Sequence, residues 1–401
     1  MASLPFLMVF MASAMAIYNS PLAPDYHGYM TGFRNLSKTL SIGGAAVCIQ
    51  GDVPVKAAAM NIHLNYSEPA DQTVVTNTIL EYYAVNSTLV QQVEGGKQNV
   101  SGTWKINAKL CFPTSTNEIN SRTVQILTHG VGFEKSYWDF YSSKYSYVEA
   151  AALSGYATFS YDRLGTGLSD HPDPIQVVQT PLEMSILHEL IQMLRSGRIG
   201  STAFSHVVGV GHSFGSGLTA SNTVNYPSDL DAAVLTGFSV DASGKQAFWV
   251  GLNLEIAAYN TPARFHQLPR GYLVASTVTS TQFGFFRAPA FDPLVLEASN
   301  AGKQTFTIGE LFTNNLLAGL VARNFTGPVD IVDGEHDLDF CDGNCLLPTN
   351  KVAAVRAAVY PKSSNASEWY VAPGAGHGTN LHYSAPAMYQ QMLSFIVSNG
   401  L

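Results

Sequence analysis

The stretch HVVGVGHSFGSGLTASNTVNYP, residues 206–227, decides how this chain is read. An apolar run, HVVGVG, ends in Gly211-His212-Ser213-Phe214-Gly215 and passes at once into a segment of helical character that stops at Pro227. A strand that becomes a helix within one residue strains the backbone there, and glycines on either side remove Cβ atoms that would clash. The bend lifts the Ser213 hydroxyl clear of the sheet, at the amino end of the next helix, where partial positive charge favours a developing anion. A chain of this length meets Gly-x-Ser-x-Gly by chance on the order of 0.1–0.2 times. It is therefore the placement, after VVGV and before a helix, that carries the information.

A neutral serine hydroxyl is a weak nucleophile and needs a base. His377, in PGAGHGTN, follows a late strand pattern, sits in a glycine-rich loop and precedes a terminal helix. His382 is its nearest rival but lies beyond the glycine loop, and His212 adjoins Ser213 so that its side chain should project away from the hydroxyl. The base needs an acceptor to fix its tautomer. Asp337, at the end of VDIVDGEHD just past a strand, fits that role. Asp333 (within the strand), Asp339 and Asp342 (beside Cys341 and Cys345) and the more distant Asp241 stay open as alternatives. Two N–H donors should face the oxyanion of an acyl-transfer intermediate. The amide of Phe214 is one, and the loop after ILTHG supplies the other, Val131 or else Gly132. His129-Gly130 makes that turn. In DRLGTGLSD, Asp162, Arg163 and the two glycines are read as holding a tight loop beside the site.

Outward from this core the chain divides by texture. From about residue 122, short apolar runs alternate with helical patterns, the mark of βαβ units and a mostly parallel sheet. TVQILTHG, YATFSYDRL, HVVGVG, AAVLTGFS, PVDIVDGEHD and EWYVA read as strands. TPLEMSILHELIQMLRSG reads as a helix with Thr180 as cap, Pro181 in the first turn and Glu183 completing a capping box. Residues 240–325 break the alternation, are rich in aromatics such as Phe248, Trp249, Phe285 and Phe286, and read as a helical cap insertion. Residues 28–120, including TVVTNTILEYYAVNSTLVQQVEG, read as β structure. The expected organisation is a signal segment at 1–16, a β-rich extension at 17–104, a core at 105–239 and 326–401, and the cap at 240–325.

The chain has 401 residues, 46% of them hydrophobic and only 12% charged, with a net charge of −8. No basic stripe exists to displace counterions from phosphates, which argues against a nucleic-acid partner. MASLPFLMVFMASAMA, residues 1–16, is an apolar run ending in small-x-small, as a cleavable secretory signal does; it is short for a comfortable bilayer span, and an uncleaved anchor or a buried first helix is the alternative. Sequons at Asn35, Asn65, Asn86, Asn99, Asn324 and Asn365 are candidate glycosylation sites. Four cysteines allow three pairings; Cys48 with Cys111 and Cys341 with Cys345 are favoured, because each pair lies within one segment. No dinucleotide fingerprint, Walker loop or metal-binding histidine motif is evident, so no cofactor or metal is expected.

These residues resemble the α/β-hydrolase superfamily: THGVGF as the oxyanion loop, DRLGTGLS as the turn after the next strand, GHSFG as the elbow, GEHD for the acid and GAGHG for the base. The likeness covers about residues 105–400, and in general texture it is nearest to secreted fungal serine hydrolases with a β-rich amino-terminal extension. The resemblance implies an α/β fold, with an eight-stranded, mostly parallel sheet, flanking helices and a helical cap. It also implies a catalytic Ser213, His377 and Asp337. Epoxide hydrolases and haloalkane dehalogenases of the superfamily carry Asp at the elbow, so Ser213 points instead to acyl transfer. The expected function is a secreted serine hydrolase acting on a small, apolar carboxylic ester or lactone. An acyltransferase or cyclising, product-releasing enzyme of secondary metabolism, a peptidase, and a non-catalytic binding protein on the same scaffold are the alternatives.

Overall fold

The computed structural model describes residues 30–115, 122–200 and 202–401; the expected signal segment, residues 1–16, lies outside them. Its first strands are β1 (Arg34–Leu40), β2 (Ala46–Leu64), β3 (Glu94–Pro113), β4 (Thr123–Thr128), β5 (Ala157–Tyr161), β6 (His206–His212) and β7 (Ala232–Thr236). They are followed by β8 (Glu255–Ile256), β9 (Tyr272–Val274), β10 (Phe306–Thr307), β11 (Val329–Gly334) and β12 (Glu368–Ala372). Nine of them form one sheet in the order β1-β2-β3-β5-β4-β6-β7-β11-β12. From β5 to β12 every pairing is parallel, whereas β1, β2 and β3 join the β5 edge antiparallel. The fold is thus that of an α/β hydrolase with nine strands where eight were expected.

Side-chain burial explains this order. Strands β4, β5, β7 and β11 are buried along their whole length, as strands covered by helices on both faces must be. Among the covering elements, the helix Thr180–Arg195 packs on β2, Phe214–Asn225 on β6 and β7, and Ala385–Ser398 on β12. One continuous apolar core runs from Phe33 to Ile396. The amino-terminal strands are therefore the antiparallel flank of the main sheet. The boundary expected at residue 104 falls inside β3, which runs unbroken from Glu94 to Pro113.

Two local expectations are corrected. Residues 72–93 are not strand: they form the helices Gln72–Tyr82 and Leu89–Val93. Asp71 caps the first by accepting from Val74 N, and Val75, Thr78 and Ile79, spaced three and four apart, make its buried face. Glu183 does not close a capping box on Thr180, because its carboxylate is taken by Arg163 and the helix starts with Gln179 at its cap position. The segment 240–325 is largely helical but also carries the small antiparallel sheet β10-β9-β8.

Cys48 and Cys111 face each other across β2 and β3 and are bonded; Cys341 is bonded to Cys345. The first bridge closes a 63-residue separation, for which loop-closure entropy gives a stabilisation of about 4 kcal/mol. We predict that the C48A/C111A double variant loses stability on that scale, read as a lower urea midpoint with a steeper slope, because the unbridged unfolded chain exposes more surface. No helix among the described residues is long and apolar enough to cross a membrane.

Candidate active site

Ser213 sits between β6 and the helix Phe214–Asn225 with φ 55° and ψ −119°, a left-handed φ that a non-glycine residue holds only under restraint. The restraint is steric. A Cβ on Gly211 would lie 2.5 Å from Ser216 Cα, and one on Gly215 would run into the carbonyl oxygen of Thr128 on neighbouring β4. The two glycines let the helix start directly against the sheet, and the turn presents the Ser213 side chain at the carboxyl end of the parallel strands.

The loops after β11 and β12 reach the same rim. Ser213 Oγ lies 2.7 Å from His377 Nε2, and His377 Nδ1 lies 2.6 Å from Asp337 Oδ2. With its Nδ1–H donated to the carboxylate, the imidazole turns its Nε2 lone pair to the hydroxyl, so it can take the hydroxyl proton. All three residues are buried, Ser213 being 2% exposed. Burial lowers the pKa of His377, but the Asp337 carboxylate, its hydrogen bond and the charge of Asp339 outweigh burial and raise it above 6.5. For Asp337, burial raises the pKa and the His377 charge and hydrogen bond, with further hydrogen bonds from Asp333 and the Phe340 N–H, bring it below its ordinary value. Asp333 itself is pushed well up, by burial and by the neighbouring Asp337 charge.

The alternatives are occupied elsewhere. His382 Nε2 accepts from the Arg287 and Gly376 amides and its Nδ1–H donates to Gly378 O, so both nitrogens are engaged in the loop. His212 stacks on Tyr137, and its Nδ1–H donates to Thr236 Oγ1, whose own proton goes to Gly211 O. Asp241 pairs with Lys351 at 2.7 Å, and Asp342 is exposed in a left-handed turn. Of the proposed amides, Phe214 N is the first of its helix and so has no partner within it. Val131 lines a narrow cleft together with Ser213 and Phe214. Trp249 also lines it, while Phe248 stands edge-on to His377 at 5.1 Å and Phe285 lies over it at 6.0 Å. Phe286 is set apart, packed on Phe291 and His382.

The strand and loop patterns did not single out Phe238, Leu317 and Phe340, which form apolar walls of the cleft, or Lys245 and Asn314, which bring polar groups to it. Asp339, weighed above as an acid, lines it as well. Behind Phe214 lies a second group. The Arg163 guanidinium covers the Phe214 ring at 4.5 Å and pairs with Glu183 on the helix Thr180–Arg195 and with Glu310 in the 240–325 segment, the latter at 2.7 Å. The Asp333, Cys341 and Cys345 side chains approach one another, but both sulfurs are consumed in the disulfide, which removes the thiolates a metal would need.

A sequence model of the alpha/beta hydrolase family matches residues 125–389, a span that includes Ser213, Asp337 and His377. The chain belongs to the alpha/beta hydrolase family. Among curated protein sequences none matches it. Among solved structures, it is similar to the enol-lactonase from Burkholderia xenovorans (15% identity, 73% of this chain and 97% of that one, TM-score 0.49). It is similar also to an alpha/beta hydrolase fold protein from Chitinophaga pinensis (14%, 74% and 94%, 0.49) and to a thermophilic esterase from Thermogutta terrifontis (13%, 74% and 94%, 0.43). At these identities the likeness concerns the fold alone. In this alpha/beta hydrolase the long strands β1–β3 extend the main sheet, and side chains of the 240–325 segment, Trp249 and Leu317 among them, line the cleft at Ser213.

Proposed function

We propose that this alpha/beta hydrolase is a serine hydrolase that cleaves a carboxylic ester or lactone. The observation that carries the reading is the buried relay Ser213–His377–Asp337, with links of 2.7 and 2.6 Å. Ser213 Oγ bonds to the carbonyl carbon while its proton passes to His377 Nε2. The oxyanion that forms is held by the Phe214 and Val131 amides. The tetrahedral adduct collapses as the C–O bond to the alcohol breaks and the imidazolium gives its proton to the departing oxygen. Water then repeats the sequence on the acyl-enzyme, releasing acid and restoring the serine. Apolar cleft walls favour a small apolar substrate. Passage through a secretory lumen is supported by the two disulfides and by the exposure of all six sequon asparagines.

The test is a panel of short-chain esters, lactones and peptides with product analysis. Release of free acid from esters or lactones is expected; turnover of peptides alone would contradict the reading. Protonated His377 cannot accept the serine proton. Because its pKa is raised, we predict that kcat/KM rises with pH through a midpoint above 6.5. In D337N the midpoint should move down and the plateau fall, as a full pH–rate profile of both proteins would show.

A further inference from the structure

Asp339 follows Asp337 by two residues and is not a link of the Ser213–His377–Asp337 relay, although its charge helps raise the His377 pKa. It is 5% exposed, it lines the cleft that holds Ser213, and among the described residues its Oδ1 has no hydrogen-bond partner. Burial and the neighbouring Asp337 charge, partly offset by His377 and Lys245, push this carboxyl up to about 6. A buried carboxylate oxygen without a donor is costly, and a ligand that supplies one recovers that loss. Lys245, on the same cleft, forms no ion pair with it among the described residues.

We propose that Asp339 is a substrate-recognition residue that accepts a hydrogen bond from a hydroxyl on the ester or lactone, so that the enzyme selects hydroxylated substrates over their plain counterparts. The inference rests on the serine-hydrolase reading and names the substrate class for it. The donor is a neutral hydroxyl rather than an ammonium group. Lys245 already supplies a cation to this cleft, and His377 becomes a second one when it takes the serine proton; a charged donor would meet both. The remaining walls, Phe238, Trp249, Leu317 and Phe340, suit the hydrocarbon part of such a molecule.

The experiment compares kcat/KM for methyl hexanoate, methyl 3-hydroxyhexanoate, methyl 6-hydroxyhexanoate, 2-hydroxyethyl hexanoate and methyl 6-aminohexanoate, read by acid release. In the wild type, at least one hydroxylated ester should exceed methyl hexanoate by about 10-fold or more, since a site built around a buried polar group rejects ligands that leave it unpaired. That ratio should fall towards one in D339L and to an intermediate value in D339N, which keeps shape and a neutral acceptor. Fluorophosphonate labelling of Ser213 reports whether each variant has folded, and if D339L has not, D339N decides. The inference is overturned if the wild type shows no preference for a hydroxyl, if the amino ester is the best substrate, or if the ratio is unchanged in a folded variant. These results leave the serine-hydrolase reading standing. Absence of any turnover together with absence of Ser213 labelling would remove that reading, and the inference with it.

Discussion

The S213A variant is expected to lose ester turnover by about 10⁴–10⁶-fold in kcat, with residual rate from binding and the oxyanion donors alone. Ser213 is the group whose oxygen meets His377 Nε2, and removing it leaves the imidazole with nothing to deprotonate. Alanine should be tolerated structurally, because the backbone N–H of Ser213 keeps its bond to Thr236 O and Ser213 O still accepts from Gly217 N in the helix. The left-handed φ is no worse for alanine than for serine. The measurement is kcat on the best ester of the panel, beside circular dichroism and thermal unfolding. A variant that keeps wild-type structure but retains a tenth of the activity would mean that another nucleophile operates.

The second large effect falls on stability. Arg163 is buried, and its guanidinium joins three parts of the molecule: Glu183 on the helix Thr180–Arg195, Glu310 on the helix Ile308–Thr313, and the Phe214 ring beside Ser213. Glu310 has a further duty, since it completes a capping box with Thr307. Burial, and the Glu310 charge beside it, raise the Glu183 pKa although Arg163 pulls the other way. In R163M two carboxyl groups face each other in the interior with no cation. Removing one partner of a buried charge group destabilises by about 3–5 kcal/mol. The sign of the pH dependence follows from the raised carboxyl. A proton held in the folded state is favourable below the unfolded value near 4.5 and becomes a penalty as pH rises. The deficit of R163M relative to wild type should therefore narrow towards pH 4 and widen at pH 8, as urea titrations at both values would measure. Equal deficits at both would show that no buried carboxyl is left unpaired.

The parts of the fold set by backbone periodicity were open to reading in the sequence. The parallel strands that cross the interior are almost wholly buried and rich in Val, Ile, Leu and Ala, and each of the patterns VQILT, ATFSY, VVGVG, AAVLT and VDIVDG corresponds to a strand. The Gly-His-Ser-Phe-Gly turn was legible because two glycines are needed where a helix starts against a neighbouring strand. Residues 72–93 misled because Val and Thr favour strands locally, while the Asp71 cap and a buried face at helical spacing decide otherwise. The role of Glu183 was hidden for a different reason. Its partner, Arg163, and the competing carboxylate, Glu310, come from distant segments, and no local pattern records that meeting. The same holds for the cleft, whose walls are contributed by loops after β7 and β11 and by the cap. Burial of Asp339 depends on that assembly, so in the sequence Asp339 reads only as one of the alternatives to Asp337, near the Cys341–Cys345 pair.

The account turns on Ser213 being the activated nucleophile of the buried relay. The most direct measurement is covalent labelling of the folded wild-type protein with a fluorophosphonate, followed by peptide mapping, in parallel with H377A. The account predicts a single phosphonylated residue, Ser213, formed rapidly in the wild type and slowed by about 10³-fold or more without the imidazole. Labelling at another serine, no labelling of correctly folded protein, or an equal rate in H377A would contradict it.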